Sequence, residues 1–177
     1  MELDPYYTWS KNRIDKKGGG ISTSVSPSLK DFSIGVGQGR MDDEYLIIRL
    51  DCYKHALNIF NYYGEQRKNS TKNVEEKWMR IHEELDKIKS RGEDCILIGD
   101  MSKLIGNDEW GVCGNNPEIT IGGIMLRNLL QSKDYVLVNS LRNRVKGGPF
   151  IRCDPANSRL SLLDLVIVSV GLVPYVR

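Results

Sequence analysis

The run Asp94-Cys95-Ile96-Leu97-Ile98-Gly99-Asp100-Met101-Ser102 holds the residues best placed to do chemistry. Its apolar part is too short for a helix and is closed by a glycine and an acid. That pattern describes a buried strand delivering a carboxylate to its carboxyl end. A carboxylate fixed in this way on a rigid element can hold a metal ion or orient a water. Strands also end in Gly-Asp because these residues turn the chain, so the run alone leaves both readings open. The two histidines suggest no ligand set. His55 opens a strand, and His82 is expected on the solvated, charged face of a helix.

The elements that must position Asp100 are legible around it. Asn73 followed by Glu76 reads as a capping box opening a helix, along which Val74, Trp78, Ile81, Leu85 and Ile88 recur on one face. Gly92 is placed to stop that helix, and the strand Cys95 to Ile98 follows at once. Ile21 to Val25, Tyr45 to Leu50 and His55 to Tyr62 read as earlier strands. A second helix is expected from Gly123 to Ser132, carrying Met125, Leu126, Leu129 and Leu130 into a strand from Tyr135 to Asn139. The last strand is expected from Leu163 to Val168. Gly18-Gly19-Gly20 lacks the Lys-Ser/Thr ending of a phosphate loop and precedes a strand, so it reads as a turn. Arg142, Arg144, Lys146 and Arg152 surround Gly147-Gly148-Pro149 in a basic loop, readable as solvated or as contacting phosphate.

A chain of 177 residues with 40% hydrophobic and 27% charged side chains has the composition of a single globular domain. Its net charge of +2 neither demands nor excludes nucleic acid. Cys52, Cys95, Cys113 and Cys153 form no Cys-x-x-Cys pair, which points to a reducing, intracellular setting without separating nucleus from cytoplasm. The start lacks the basic cap and apolar run of a signal peptide. Leu162 to Val176, the longest apolar stretch, is broken by Asp164 and Pro174 and is too short to span a bilayer, so no membrane partner is expected.

Three ordered segments carry a resemblance: Asn61-Tyr62-Tyr63-Gly64, Ile98-Gly99-Asp100-Met101-Ser102, and Ser161-Leu162-Leu163-Asp164-Leu165-Val166-Ile167-Val168. They resemble the N-x-Y-[AG]-P, G-D-[FM]-N and S-x-[IL]-D-x-[IV] blocks of the endonuclease/exonuclease/phosphatase superfamily. The nearest look is to the endonuclease domains that accompany reverse transcriptases in LINE-type retrotransposons. The resemblance runs from about Gly18 to Val170, and Gly148-Pro149-Phe150 follows the same running order. It implies an α/β (α+β) fold: a four-layer α/β/β/α sandwich of two mostly antiparallel sheets flanked by helices. It also implies magnesium-dependent hydrolysis of a DNA phosphodiester with no small-molecule cofactor, and with the family's other metal carboxylates unmatched, Asp100 alone is expected to make a weak or absent magnesium site in this chain. Asp100 would bind the metal side of the site and orient or deprotonate water, Tyr63 would donate to a phosphate oxygen, and Asp164 would hold a histidine's imidazole. Ser102 falls at the site position where the family has asparagine.

The departures shape the expectation. The family's asparagine and metal-binding glutamate precede the matched region, and its closing Ser-Asp-His follows it. Residues 1–177 are therefore expected to be one domain of this kind lacking the family's N-terminal and C-terminal strands, an incomplete sandwich that could associate through exposed sheet edges. Glu65 stands where proline is usual, and Ile151 follows Phe150 where threonine is common. A serine hydroxyl at 102 cannot accept and donate across the span of a carboxamide. The function implied is a retrotransposon-type endonuclease by descent, impaired in this chain. The alternative is a non-catalytic, domesticated remnant that binds nucleic acid or another partner. Phosphatases of inositol phosphates and sphingomyelinases share the fold, and the Asn61 and Ser161 blocks look more like the nucleases, among which an apurinic-site enzyme stays possible.

Overall fold

In the computed structural model, which describes residues 6–12, 20–29, 34–38, 45–52, 55–63, 71–101, 121–132, 134–141, 152–153, 160–161 and 164–176, two helices alternate with ten strands. In chain order these are β1 (Tyr7–Asn12), β2 (Gly20–Val25), β3 (Ile34–Gln38), β4 (Tyr45–Cys52), β5 (His55–Tyr63), α1 (Thr71–Ser90), β6 (Asp94–Asp100), α2 (Ile121–Gln131), β7 (Tyr135–Leu137), β8 (Arg152–Cys153), β9 (Leu160–Ser161) and β10 (Asp164–Ser169). Six of the strands form one sheet in the order β3-β4-β5-β6-β10-β7. Its pairings are antiparallel except β5 with β6, which run parallel. A parallel pair needs a long crossover, and α1 supplies it. β1 and β2 make a separate antiparallel hairpin, and β8 pairs with β9.

Alternation along the strands builds two apolar layers. Phe60, Leu97 and Ile167 are directly opposite one another on β5, β6 and β10 and face the helices, where they bury Trp78, Ile81, Leu85 and Leu126. On the other face Leu46, Ile48 and Leu50 of β4 pack under Ile21 and Val25 of the hairpin, with Trp9, Leu57, Ile59 and Tyr63 at the rim. The layers are thus helix, sheet and hairpin sheet, an α+β architecture of the expected kind. No helix among the described residues is long and apolar enough to cross a membrane.

Helix α1 buries the five residues its periodicity predicts, Val74 only in part. It starts two residues before Asn73, so Asn73 lies exposed inside the first turn and is not the cap. Its end is closed by Gly92 at φ 68°: Gly92 N–H donates to the Lys89 carbonyl at 2.9 Å and Glu93 N–H to the Ile88 carbonyl at 3.2 Å. These two bonds are a Schellman closure. His82 differs from its expected solvated placement. It lies four residues after Trp78, so it shares a helix edge with that ring, meeting it edge-on at 6.2 Å where α2 packs. Its Nε2 and Trp78 Nε1 are buried without hydrogen-bond partners among the described residues. Burial pushes the imidazole pKa down, opposed by Asp86 and a hydrogen bond with the Met125 backbone. The strand expected to reach Asn139 ends at Leu137 and turns into a 3-10 segment, Val138–Ser140.

The amino end of β6 is held by Glu93. Its carboxylate accepts from Arg91 at 2.8 Å, from the nearly fully buried Asn58 at 3.0 Å and from Arg49 at 3.2 Å. Asn58 also donates to the Asp94 carbonyl at 3.2 Å. The Arg91 hydrogen bond, followed by those from Asn58 and Arg49, outweighs desolvation and holds the Glu93 pKa down at about 2. One carboxylate thereby joins β4, β5 and the turn between α1 and β6.

Near the other end of β6, Gly99 adopts φ +135° inside the strand. A Cβ there would stand 1.8 Å from the Tyr62 carbonyl oxygen, whereas a Cβ on Gly92 would meet nothing within 4 Å. Gly92→Ala therefore incurs only the left-handed backbone penalty, about 1–2 kcal/mol. Gly99→Ala adds displacement of a backbone to that penalty, and we expect a loss of at least ~3 kcal/mol or failure to fold. Chemical denaturation of both variants checks the order. Equal losses would show that β5 and β6 separate freely at this point.

Glu93 sets an acid limit. A depressed carboxylate contributes stability above its unfolded pKa and loses it as pH falls through the folded value. The window therefore runs from about pH 4.3 down to about 2. Melting temperature should fall through that window by an amount equivalent to ~1–2 kcal/mol, after allowance for solvent screening. Glu93→Gln should lower stability at pH 7 and remove that part of the acid dependence. An unchanged acid profile in the variant would assign the effect to other carboxylates.

Candidate functional site

The site is built by register. Tyr63 of β5 is paired with Asp100 of β6, and Asp100 is paired with Asp164 of β10. Residues directly opposite across a sheet share a face. Leu97 and the buried Met101 lie on the helix side, so alternation puts Asp100 on the face that carries the hairpin. Tyr63 packs against the apolar cluster of that same face. Three polar side chains thus form one row across three adjacent strands, at the carboxyl ends of β5 and β6 and the start of β10.

The backbone shows how closely the two acids approach. Val166 N–H points toward β7 and donates to Asn139 Oδ1 at 2.8 Å. Backbone groups alternate sides along a strand, so Asp164 also directs its own toward β7, in line with the 3.5 Å approach of Asn139 Nδ2 to its carbonyl. Asp164 and Asp100 therefore face each other as a non-hydrogen-bonded pair, the kind with Cα atoms only ~4.5 Å apart and side chains nearest. Asp164 is exposed and Asp100 is half-buried. Like charges directly opposite destabilise a sheet pair, and a cation beside them offsets the repulsion. Magnesium is commonly held by one or two carboxylates together with phosphate oxygens; Asp100 is the single carboxylate of the row that the resemblance gives to the metal, which makes for a weak site. Among the described residues no group of three or more metal-ligating side chains forms a closed cage.

Next to the row, Asn61 ties the hairpin down. On the same face of β5, two residues before Tyr63, its Nδ2 donates to the Ser22 carbonyl at 3.0 Å and to Thr23 Oγ1 at 3.2 Å. Ser102 lies outside the described residues, as do Glu65, Ile151 and the basic loop's Arg142, Arg144 and Lys146. The two histidines are elsewhere: His55 is at the opposite end of β5, and His82 is on the helix side. Cys95 is buried in mid-sheet, and burial pushes its thiol up to about 12, which makes it inert packing. Asn139 is not among the residues that the sequence singles out for the site. A signal is present all the same, since an asparagine directly after a short apolar strand marks a turn whose side chain bonds backbone.

No protein-family model matches the sequence, and no curated protein sequence does. Solved structures do match. The endonuclease domain of TRAS1, a telomere-specific non-LTR retrotransposon, is 11% identical with a TM-score of 0.59, over 96% of this chain and 69% of that one. AP endonuclease LMAP from Leishmania major is 15% identical with a TM-score of 0.73, over 97% and 64%. TDP2 from D. rerio, solved with a single-strand DNA product, is 14% identical with a TM-score of 0.55, over 93% and 62%. The chain spans about two thirds of the length of each of these neighbours. They share a helix-flanked pair of stacked sheets, and this chain has that architecture, the DNase I-like endonuclease/exonuclease/phosphatase fold.

Proposed function

We propose that the row Tyr63–Asp100–Asp164 is one side of a magnesium-dependent, phosphodiester-hydrolysing endonuclease site of the retrotransposon type, with turnover impaired in this chain. The observation that carries the reading is the register that sets these three residues side by side at one end of the sheet. The neighbouring nuclease folds support it. Bound magnesium, held by Asp100, would supply positive charge against the phosphate. Tyr63 would donate its hydroxyl to a non-bridging phosphate oxygen, fixing the substrate's orientation. Asp100 would accept a proton from, or orient, the attacking water. Asp164 would steady an imidazole, yet neither His55 nor His82 stands near it. That leaves the leaving oxygen and the developing charge poorly served, which is the physical reason to expect slow turnover. The substrate class is the nucleic-acid backbone, DNA in the first instance.

The distance of both histidines from the row also favours a second reading, a non-catalytic module that binds nucleic acid without cutting it. One assay separates the two. With supercoiled plasmid and excess protein, the chain should give trace nicking that requires magnesium and disappears in Asp100→Ala. Tyr63→Phe should lower it, and Ser102→Asn alone should not restore robust cutting. A single preorganised group is worth ~3–4 kcal/mol, and the absent imidazole leaves a deficit of that size in place. Nicking that survives Asp100→Ala would sink the site assignment. Robust nicking that disappears in that variant would overturn the impairment alone. Retention of DNA in a mobility-shift assay with no nicking would select the binding module.

A further inference from the structure

We infer that Asn139 is a positioning residue that holds Asp164 against Asp100, an inference that rests on the site reading above. The ladder between β7 and β10 runs Ser169 with Tyr135, Val168 with Val136 and Ile167 with Leu137, and then stops. The next rung would have Val166 N–H donate to the carbonyl of Val138. That carbonyl is already taken, because the chain has turned into a 3-10 segment and Leu141 N–H donates to it at 2.9 Å. Val166 and Asp164 would then turn backbone groups toward a strand that is no longer there. The Asn139 carboxamide fills the gap. Its Oδ1 accepts from Val166 N–H at 2.8 Å, and its Nδ2 approaches the Asp164 carbonyl at 3.5 Å. One side chain with an acceptor and a donor thus replaces two backbone groups of the missing strand, a role that only a carboxamide of this length performs.

The consequence falls on the acid pair. On its β6 side Asp164 belongs to a non-hydrogen-bonded pair, so no backbone bond from Asp100 holds it directly. Asn139 acts on the other flank and fixes the first residues of β10. Through them it sets the spacing between the Asp164 and Asp100 carboxylates. It touches no substrate in this reading, which is why its role is positional.

NMR of the 15N-labelled full chain tests the inference without any need for turnover. The non-hydrogen-bonded pair should give a strong cross-strand Hα–Hα Overhauser signal between Asp164 and Asp100, and Val166 N–H should exchange slowly. Asn139→Ala should abolish the signal and speed Val166 exchange by at least about fivefold, leaving Ile96 to Ile98 protected. Asn139→Asp keeps an acceptor for Val166 and should retain most of the protection. Ser140→Ala is the control. It removes a 2.7 Å bond to the Leu137 carbonyl in the same turn and should spare the signal. If Asn139→Ala does not fold, Asn139→Gln shifts the carboxamide by one methylene and serves the same comparison. An unchanged signal in Asn139→Ala, or an equal loss in Ser140→Ala, would overturn the positional role. If the Hα–Hα signal vanishes in Asn139→Ala while the parent chain never nicks DNA, the nuclease reading fails and the positioning stands.

Discussion

The register of β6 against both of its neighbours is the constraint on which the site depends. Cys95 and Leu97 point into the helix-side core, while Asp100 belongs to the opposite face. A slip of one residue would drive the carboxylate into an apolar cluster and push Leu97 out of it, at a cost far above that of any single surface interaction. The apolar alternation therefore fixes the pairing first, and the polar row follows from it. Gly99 sharpens this constraint, since the Tyr62 carbonyl lies where any side chain at 99 would begin. Only a residue without a side chain keeps β5 and β6 paired at this point, so the register of Tyr63 against Asp100 depends on Gly99.

The two ends of β6 show opposite electrostatics on the same scaffold. At the amino end, Glu93 is a nearly buried carboxylate satisfied by two guanidinium groups and the Asn58 carboxamide. A group so completely paired has no capacity left to bind anything else, and its work is structural. At the carboxyl end two carboxylates are placed opposite one another, in a pairing that sheet energetics disfavour. The first arrangement is explained by stability alone. Facing acids on rigid strands gain from a cation placed between them, which is the physical ground for the proposed site at that end.

What can be read from the sequence follows from signal length. Helix α1 has twenty residues and five apolar positions on one face, so its core residues are legible, although the capping-box pattern marks its start two positions late. Strand β6 is legible because an unbroken apolar run ended by Gly-Asp has few other uses. By contrast β3, Ile34–Gln38, carries two glycines in five residues, so almost nothing in its composition marks a strand. β1 mixes aromatic and polar residues and, among the described residues, pairs with β2 alone, a local hairpin that no periodicity announces. His82 reads as solvated because its sequence neighbours are charged. It is half-buried because α2, remote from it in sequence, packs against it.

The site is legible in part and for a different reason. Asp100 stands out because it closes a readable strand, Tyr63 and Asp164 are picked out by the family resemblance of their segments, and the pairing of those strands then brings the three together. Asn139 cannot be found that way. Its importance arises from a ladder that ends one rung early and from a carbonyl diverted to Leu141, facts of tertiary pairing with no trace in local composition. The contrast is general for sites built on sheets: reacting groups occupy regular positions that alternation can locate, whereas the groups that fix their spacing occupy the irregular edges where regular pairing breaks down. Shared fold with nucleases assigns a role to neither kind of residue, and chemistry is decided by both.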